Sequence, residues 1–260
     1  MASVTISMGV LENYAAGVHV IGDTARSDFA RTLGAIDLSD QALVEDLLAG
    51  ACRAASQASS EYAAQFYRGM SILQTGNDYD ARAYSPYDRK AVEVALKGIY
   101  RQARDADGAL DEEKLARLLS DRIDYEVNRA SKVGVWRNGQ ADSRDVRYAR
   151  VPVGAETCAW CLMTAGLGFW FMTEEAASHT HAHCDCAIIP EIGGIHDVHI
   201  DGYDSTVYRD MWRNANQLLR NGDIPSDMAE RIDYLAATRP GYRTDTNGAL
   251  AVMRWQYGLK

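Results

Sequence analysis

Proline is scarce in this 260-residue sequence, at five residues, and phenylalanine at four. So few prolines exclude a Pro-rich spacer. No basic side chain precedes Arg26, so no positive segment leads into an apolar core and a secretory signal is not expected. Long hydrophobic runs are missing as well. The longest stretch without a charge, Thr157 to Thr173, is too short for a membrane span and is broken by Gly166 and Gly168. Basic charge is in deficit: 27 Lys and Arg against 36 Asp and Glu give a net charge of −9. That balance argues against a general nucleic-acid coat or a basic membrane-surface protein. No Gly-x-Ser-x-Gly elbow, His-Glu-x-x-His pair or Walker loop occurs. What remains, 47% apolar and 24% charged residues, is the composition of a folded chain.

Cysteine is also sparse, too sparse for a disulfide scaffold of this length, yet it is clustered. Cys52 stands alone, and Cys158, Cys161, Cys184 and Cys186 share one short window. The charge map isolates the same window. Residues 1–150 carry 19 basic and 22 acidic side chains, and residues 151–260 carry 8 and 14. Between Val151 and Tyr208 there is no Lys or Arg, but there are eight acidic residues and five of the six histidines. The expected organisation is a helical arm or bundle over 1–146, a Cys/His-rich α+β module over 147–204, and C-terminal helices over 205–260 packing on that module.

The first region reads as helical. Val44, Leu47, Leu48, Ala51, Ala55, Ala58, Tyr62 and Phe66 recur at steps of three and four, with Ser39 as a plausible N-cap and Gly76-Asn77 as the end. A second helix is expected after Pro86, carrying Val92, Leu96, Ile99 and Ala103. A third starts near Asp111, carries Leu115, Leu119, Ile123 and Val127, and frays toward Gly134 and Gly139. These stripes suit either a local bundle or an arm that docks on a partner. Short strands are expected at Tyr148–Val153, at Phe169–Met172, and at Ala187–Ile189, the last closed by Pro190. Gly193–Gly202 reads as a His/Asp-rich loop. Helices return at about Ser205–Arg220, Ser226–Ala237 and Thr246–Tyr257, with Asp204 or Ser205 and Ser226 as caps. The fold class is α+β.

The chemistry sits in Cys158-Ala-Trp-Cys161 and in His179-Thr-His181-Ala-His183-Cys184-Asp-Cys186. Cys-x2-Cys puts two sulfurs on one tight turn. Cys-x-Cys on an extended strand puts both on one face. Together they offer four soft ligands, which suits tetrahedral zinc, and His181 or His183 could replace one thiol. The candidate ligands are therefore Cys158, Cys161, His181, Cys184 and Cys186. Three other readings stay open: reduced thiols packed in a small core, disulfides in a virion or secreted setting, and a catalytic cysteine beside a histidine. Trp160, Phe169, Trp170 and Phe171 are expected to pack around the site. A nucleic-acid platform there is not expected, because no basic side chain in the window would meet phosphates. His19 reads as structural. His196 and His199, beside Asp197 and Asp201, read as a solvated loop before a metal site. Cys52 is expected to take no part in metal binding.

The run Arg150-Val-Pro-Val-Gly-Ala-Glu-Thr-Cys-Ala-Trp-Cys161-Leu-Met, with Gly168-Phe-Trp and His181-Ala-His-Cys-Asp-Cys186-Ala-Ile-Ile-Pro190, resembles the minor head proteins of tailed bacteriophages. These are the Mu F-like head morphogenesis proteins. The sequence is most similar to their actinobacteriophage branch, the VG15-like minor capsid proteins, often labelled capsid maturation protease. The specific likeness spans about residues 147–210. It departs from the common His-Pro-x-Cys-Arg-Cys pattern at Ala182, where Pro is usual, and at Asp185, where Arg is usual. The likeness aligns His181 with the family histidine. It implies a protein made in the host bacterial cytoplasm, residing in the virion or procapsid interior, near the portal. Portal protein or major head protein would be its partners in head assembly, and no membrane is implied. The alternative it carries is a capsid maturation protease, or another hydrolase, using the Cys/His cluster.

Overall fold

The computed structural model describes residues 3–154, 157–170, 172–194 and 198–259. A short strand β1 (Val4–Ile6) leads into four helices: α1 (Met8–Leu33), α2 (Gln41–Thr75), α3 (Arg89–Gln102) and α4 (Glu112–Ala141). Carboxylates start three of them. Asp40, Asp88 and Asp111 accept from Leu43 N, Lys90 N and Lys114 N at 3.1, 2.9 and 2.9 Å. Asp40 thus caps α2 in place of Ser39, whose own N–H donates to Asp37 at 2.8 Å. α2 ends where the sequence places its end, with Gly76 in the left-handed conformation at φ 71°. α1 is an addition to the expected helices. Ser7 caps it, and Leu11, Tyr14, Val18, Gly22, Phe29 and Leu33 form its buried face.

α1, α2 and α4 pack side by side, and α3 lies against α2 and α4. Near Gly134 and Gly139 the outcome departs from expectation: α4 does not fray but continues to Ala141. The glycines mark the closest approaches. A Cβ on Gly134 would lie 2.7 Å from Ala63 Cβ, and one on Gly139 only 2.1 Å from the Tyr148 hydroxyl. Packing at these points offsets the helix propensity that each glycine gives up, about 1 kcal/mol.

The core of the helices is continuous with a two-stranded antiparallel ribbon. β2 (Val146–Pro152) pairs with β3 (Cys186–Ile192), with Tyr148 opposite Pro190 and Pro152 opposite Cys186. Leu48, Tyr67, Leu119, Ile123, Tyr148, Ile188 and Ile189 are all buried in this one core. Pro190 does not close β3, contrary to expectation. Tyr148 turns its N–H and C=O to Trp170, at 2.8 and 3.0 Å, so Pro190 faces it without a ladder bond. The N–H that proline lacks would have pointed outward, which an edge strand tolerates. Gln74 seals that edge. Its Nε2 donates to Pro190 O at 2.7 Å, and its Oε1 accepts from Ile192 N at 2.9 Å. Gln74→Ala strands both buried groups and is expected to cost about 2–4 kcal/mol in urea denaturation, at 1–3 kcal/mol per unsatisfied group. An unchanged midpoint would show that the seal is dispensable.

Of the strand expected at 169–172, only Trp170 pairs, in a bridge to Tyr148, and Phe171 lies outside the described residues. The segment expected as a loop over Gly193–Gly202 contains β4 (Val198–Ile200), which pairs in parallel with β1. Ile6 and Ile200 are buried by that pairing while His199 stays exposed. The alternation Val-His-Ile is that of a half-buried strand.

The remaining elements are α5 (Ala159–Ala165), α6 (Glu174–Ser178), α7 (Ser205–Asn221), α8 (Ser226–Thr238), and a π turn (Thr244–Gly248) opening α9 (Ala249–Tyr257). Asp204 caps α7 at 2.8 Å, whereas Ser226 caps nothing, because Pro225 precedes α8 without a side-chain bond. Ala159 and Leu162 of α5 meet Ala215, Leu250, Val252 and Met253 in a second, separate core. The architecture is α+β, with helices at both ends and two small sheets. Among the described residues, no helix is long and apolar enough to cross a membrane.

Candidate metal centre

Between the two cores lies a third buried cluster made of sulfur: Cys158, Cys161, Cys184 and Cys186, with Trp160 against it. Local structure explains how each arrives. Cys158 is the N-cap of α5, and its Sγ accepts from Cys161 N at 3.4 Å. The Cys-x2-Cys pair therefore occupies one helical turn. Cys186 opens β3 and Cys184 precedes it, so both lie on one side of extended chain, their sulfurs 3.2 Å apart. Cys161 bridges the pairs, 3.2 Å from Cys186 and 4.0 Å from Cys184. All four are free thiols, and so is Cys52, which is buried inside α2 away from the cluster. Burial pushes the Cys52 thiol up to about 12.

Two overlapping groups offer ligand atoms within 4.8 Å of one another: Cys158, Cys161 and His181, and Cys161, Cys184 and Cys186. Both histidines of the loop can be placed. The His181 ring Nδ1 lies 2.7 Å from Ala182 O, which can only accept, so Nδ1 carries the proton. Nε2 is then the atom left to carry a second proton or to ligate. It is buried, faces the Cys158 and Cys184 sulfurs, and makes no hydrogen bond of good geometry. His183 turns away. Its φ is +58°, its backbone N–H donates to the Asp124 carboxylate, and its Nε2 lies 3.3 Å from Asp121. Asp124 in turn pairs with Arg26, so the loop is stitched to α4 and α1.

Within the cluster, protons are unevenly held. Cys158 is lowered to about 4, chiefly by the Cys161 thiol and against its own burial, with help from His181. Cys184 is lowered by its neighbours Cys161 and Cys186, while Cys161 is raised by its bonds to the other thiols. His181 is raised to about 11 by the Cys158 and Cys184 sulfurs.

The sequence reading omitted several residues that complete the site. Arg150 is fully buried and donates to Cys186 Sγ at 2.8 Å, with Cys161 Sγ at 3.8 Å. His179 stacks on Trp160 with ring centroids 3.7 Å apart. Burial and the nearby Arg150 hold its imidazole below the usual range. Lys132 of α4 reaches Thr180 and Asn128 at 3.3 Å. Asp185, where the common pattern has Arg, accepts from Thr157 Oγ1 at 3.2 Å. Arg150, His179 and Asp185 lie within the runs quoted above but carry no assigned role there, and Lys132 lies in no motif and is carried in by α4.

Some expected neighbours lie elsewhere. Phe169 and Trp170 pack on the main core, and among the described residues Trp160 is the aromatic packed on the sulfurs. His199 is exposed, 3.7 Å from Asp201, and His196 and Asp197 lie outside the described residues. His19 is exposed on α1. The cavity beside Cys184 and Cys186 holds about 10 Å³, the room of a single water.

The soft donor set fits a thiophilic ion, and the buried Nε2 of His181, with no hydrogen-bond partner, is the ring atom that would ligate once the ion displaces its proton. The family model described as VG15 protein matches residues 6–215, from β1 into α7. No curated protein and no solved structure matches the chain.

Proposed function

The chain belongs to the VG15 protein family, a family of phage proteins, and on that premise we propose that it is a minor head protein acting in capsid assembly. Its site is the interior of the procapsid and virion, at or near the portal, and its partners are portal protein, major head protein or both. The Cys/His cluster is the clamp of that scaffold. Four of Cys158, Cys161, His181, Cys184 and Cys186 hold zinc. When bound, the ion supplies a cross-link between α5 and the entry to β3, where little apolar surface is available to do so.

The observation that carries the clamp reading is burial. The four sulfurs are at most 7% exposed, and the cavity beside Cys184 and Cys186 is about 10 Å³. A peptide carbonyl has no approach to such a thiol, so the cluster serves cohesion better than nucleophilic attack. Partners are left to the surface of the helices. The lowered Cys158 thiol beside His181 is a feature the hydrolase alternative would share, and burial weighs against it.

Mass spectrometry of purified procapsids and virions should find the chain at low copy number. Its absence from both, with heads of normal form in a deletion, would overturn the assembly role. Coexpression with major head protein tests the protease alternative: Cys184→Ala should leave head-protein processing unchanged. The ligand set has its own contrast. His183→Ala is expected to keep zinc at wild-type affinity. His181→Ala should weaken zinc by at least tenfold in competition with a chromophoric chelator, because a soft site loses its neutral donor. Equal affinity in the two variants would exclude His181 from the set.

A further inference from the structure

This inference rests on the clamp reading above. Two buried cations flank the sulfurs: Arg150 at 0% exposure and Lys132 at 2%. Arg150 reaches the sulfurs from β2, and Lys132 of α4 reaches Thr180, near enough to Cys184 to act on it by charge. The partners seen for Arg150 are sulfurs, carbonyls and an aromatic face. Nη1 meets Cys186 at 2.8 Å and Cys161 at 3.8 Å. Nη2 donates to Ala176 O, Ala177 O and His179 O at 2.7, 3.3 and 3.1 Å. The guanidinium carbon sits 4.8 Å from the centre of the Trp160 ring. Lys132 Nζ meets Asn128 O, Asn128 Oδ1 and Thr180 Oγ1. These carbonyls, amides and hydroxyls carry no formal charge, and the buried Nε of Arg150 has no hydrogen-bond partner.

A buried cation without an anion costs several kcal/mol, and Arg does not shed its proton to escape. Neutral thiols or disulfides would leave both charges unmatched, so the cations call for thiolates. A divalent ion held by three thiolates and an imidazole carries −1, and one held by four thiolates carries −2. Either holds its thiolates as an anion that matches the buried cations.

We infer that Arg150, seconded by Lys132, is the counter-ion of the metal–thiolate centre, and that its forked guanidinium positions Cys186 and Cys161 against the segment that bears His181. Arg150 touches no metal in this role. It acts through the sulfurs, by charge and by N–H to S hydrogen bonds, and through the carbonyls at the end of α6. The fold thereby supplies the positive charge that the window after Val151 lacks in its own sequence.

The test uses the full chain and two metals. Zinc affinity is read by competition with a chromophoric chelator, and the cobalt(II) form is read by absorption. Arg150→Gln is expected to weaken zinc about 10–100-fold, the usual effect of losing an outer partner of a ligand. Arg150→Lys, which keeps the charge and loses the fork, should fall between. The thiolate-to-cobalt charge-transfer band should move to lower energy in Arg150→Gln, since a sulfur relieved of its donor gives electrons more readily. Wild-type affinity with an unmoved band would overturn the inference. If Arg150→Gln does not fold, Arg150→Lys and Lys132→Met decide. Weakened zinc in them supports it, and wild-type affinity and spectrum in both overturn it. A wild-type chain that takes up neither metal fails the clamp reading instead, a different result from metal bound with indifference to Arg150.

Discussion

Removing the metal from the folded protein with a chelator is expected to lower its thermal midpoint by roughly 10 °C or more, from a loss of at least about 5 kcal/mol. The size follows from where the cluster sits. The main core joins the N-terminal helices to β2 and β3, and the second core joins α5 to α7 and α9. Cys158 and Cys161 belong to α5, and Cys184 and Cys186 to the start of β3. A bound ion therefore ties the second core to the first. Without it, the sulfurs and Arg150 are left with mismatched charge in a buried place. Unfolding should then separate into two transitions, the C-terminal helices first, because the main core stands without the ion. Cys184→Ser should behave like the chelated wild type, and Cys52→Ser should retain its metal. A midpoint unchanged by chelation, in a protein shown to have lost its metal, would refute the expectation.

Gly139→Val is expected to destabilise the protein by about 3–5 kcal/mol in urea denaturation, the second of the large effects. Gly139 is buried on α4, and an added Cβ would fall 2.1 Å from the Tyr148 hydroxyl and 2.9 Å from Val146 Cγ1. Tyr148 cannot yield easily. It is fully buried, its backbone is bonded to Trp170, and its hydroxyl donates to Trp136 O at 2.9 Å. Overpacking of this kind costs about 1–3 kcal/mol, and the displaced hydroxyl adds about 1–3 kcal/mol if its bond is lost. Gly50→Ala is the control. Its Cβ would meet nothing within 4 Å, so the gain in helix propensity, up to about 1 kcal/mol, should appear as neutral to stabilising. Similar losses in the two variants would point to a general intolerance of α-helical side chains instead of a specific contact at Tyr148.

The sequence was most legible where one local rule suffices. Periodicity located α2, α3 and most of α4, and Gly76 and Asp111 marked an end and a start. The spacing of the cysteines told which sulfurs would share a turn and which a strand face. Legibility failed where a distant contact outvotes a local preference. Gly134 and Gly139 look like helix breakers until Ala63 and Tyr148 are seen against them. Pro190 looks like a strand end until Tyr148 is seen to bond Trp170 instead. Val198–Ile200 looks like loop because its partner strand lies at the opposite end of the chain.

The site divides in the same way. Composition and spacing alone marked the four thiols and His181 as candidates for one chemical unit, since ligand type and short-range geometry are local properties. Family likeness alone favoured His181 over His183; the fold adds a physical reason, since His183 turns to Asp121 and Asp124 of α4 while His181 faces the sulfurs. Only tertiary structure decided the charge of the surroundings. Between Val151 and Tyr208 the sequence has no Lys or Arg, yet Arg150 of β2 stands at its sulfurs and Lys132 of α4 at Thr180. Electrostatic neighbours act through space, and a linear count cannot show which charges the folded chain brings together.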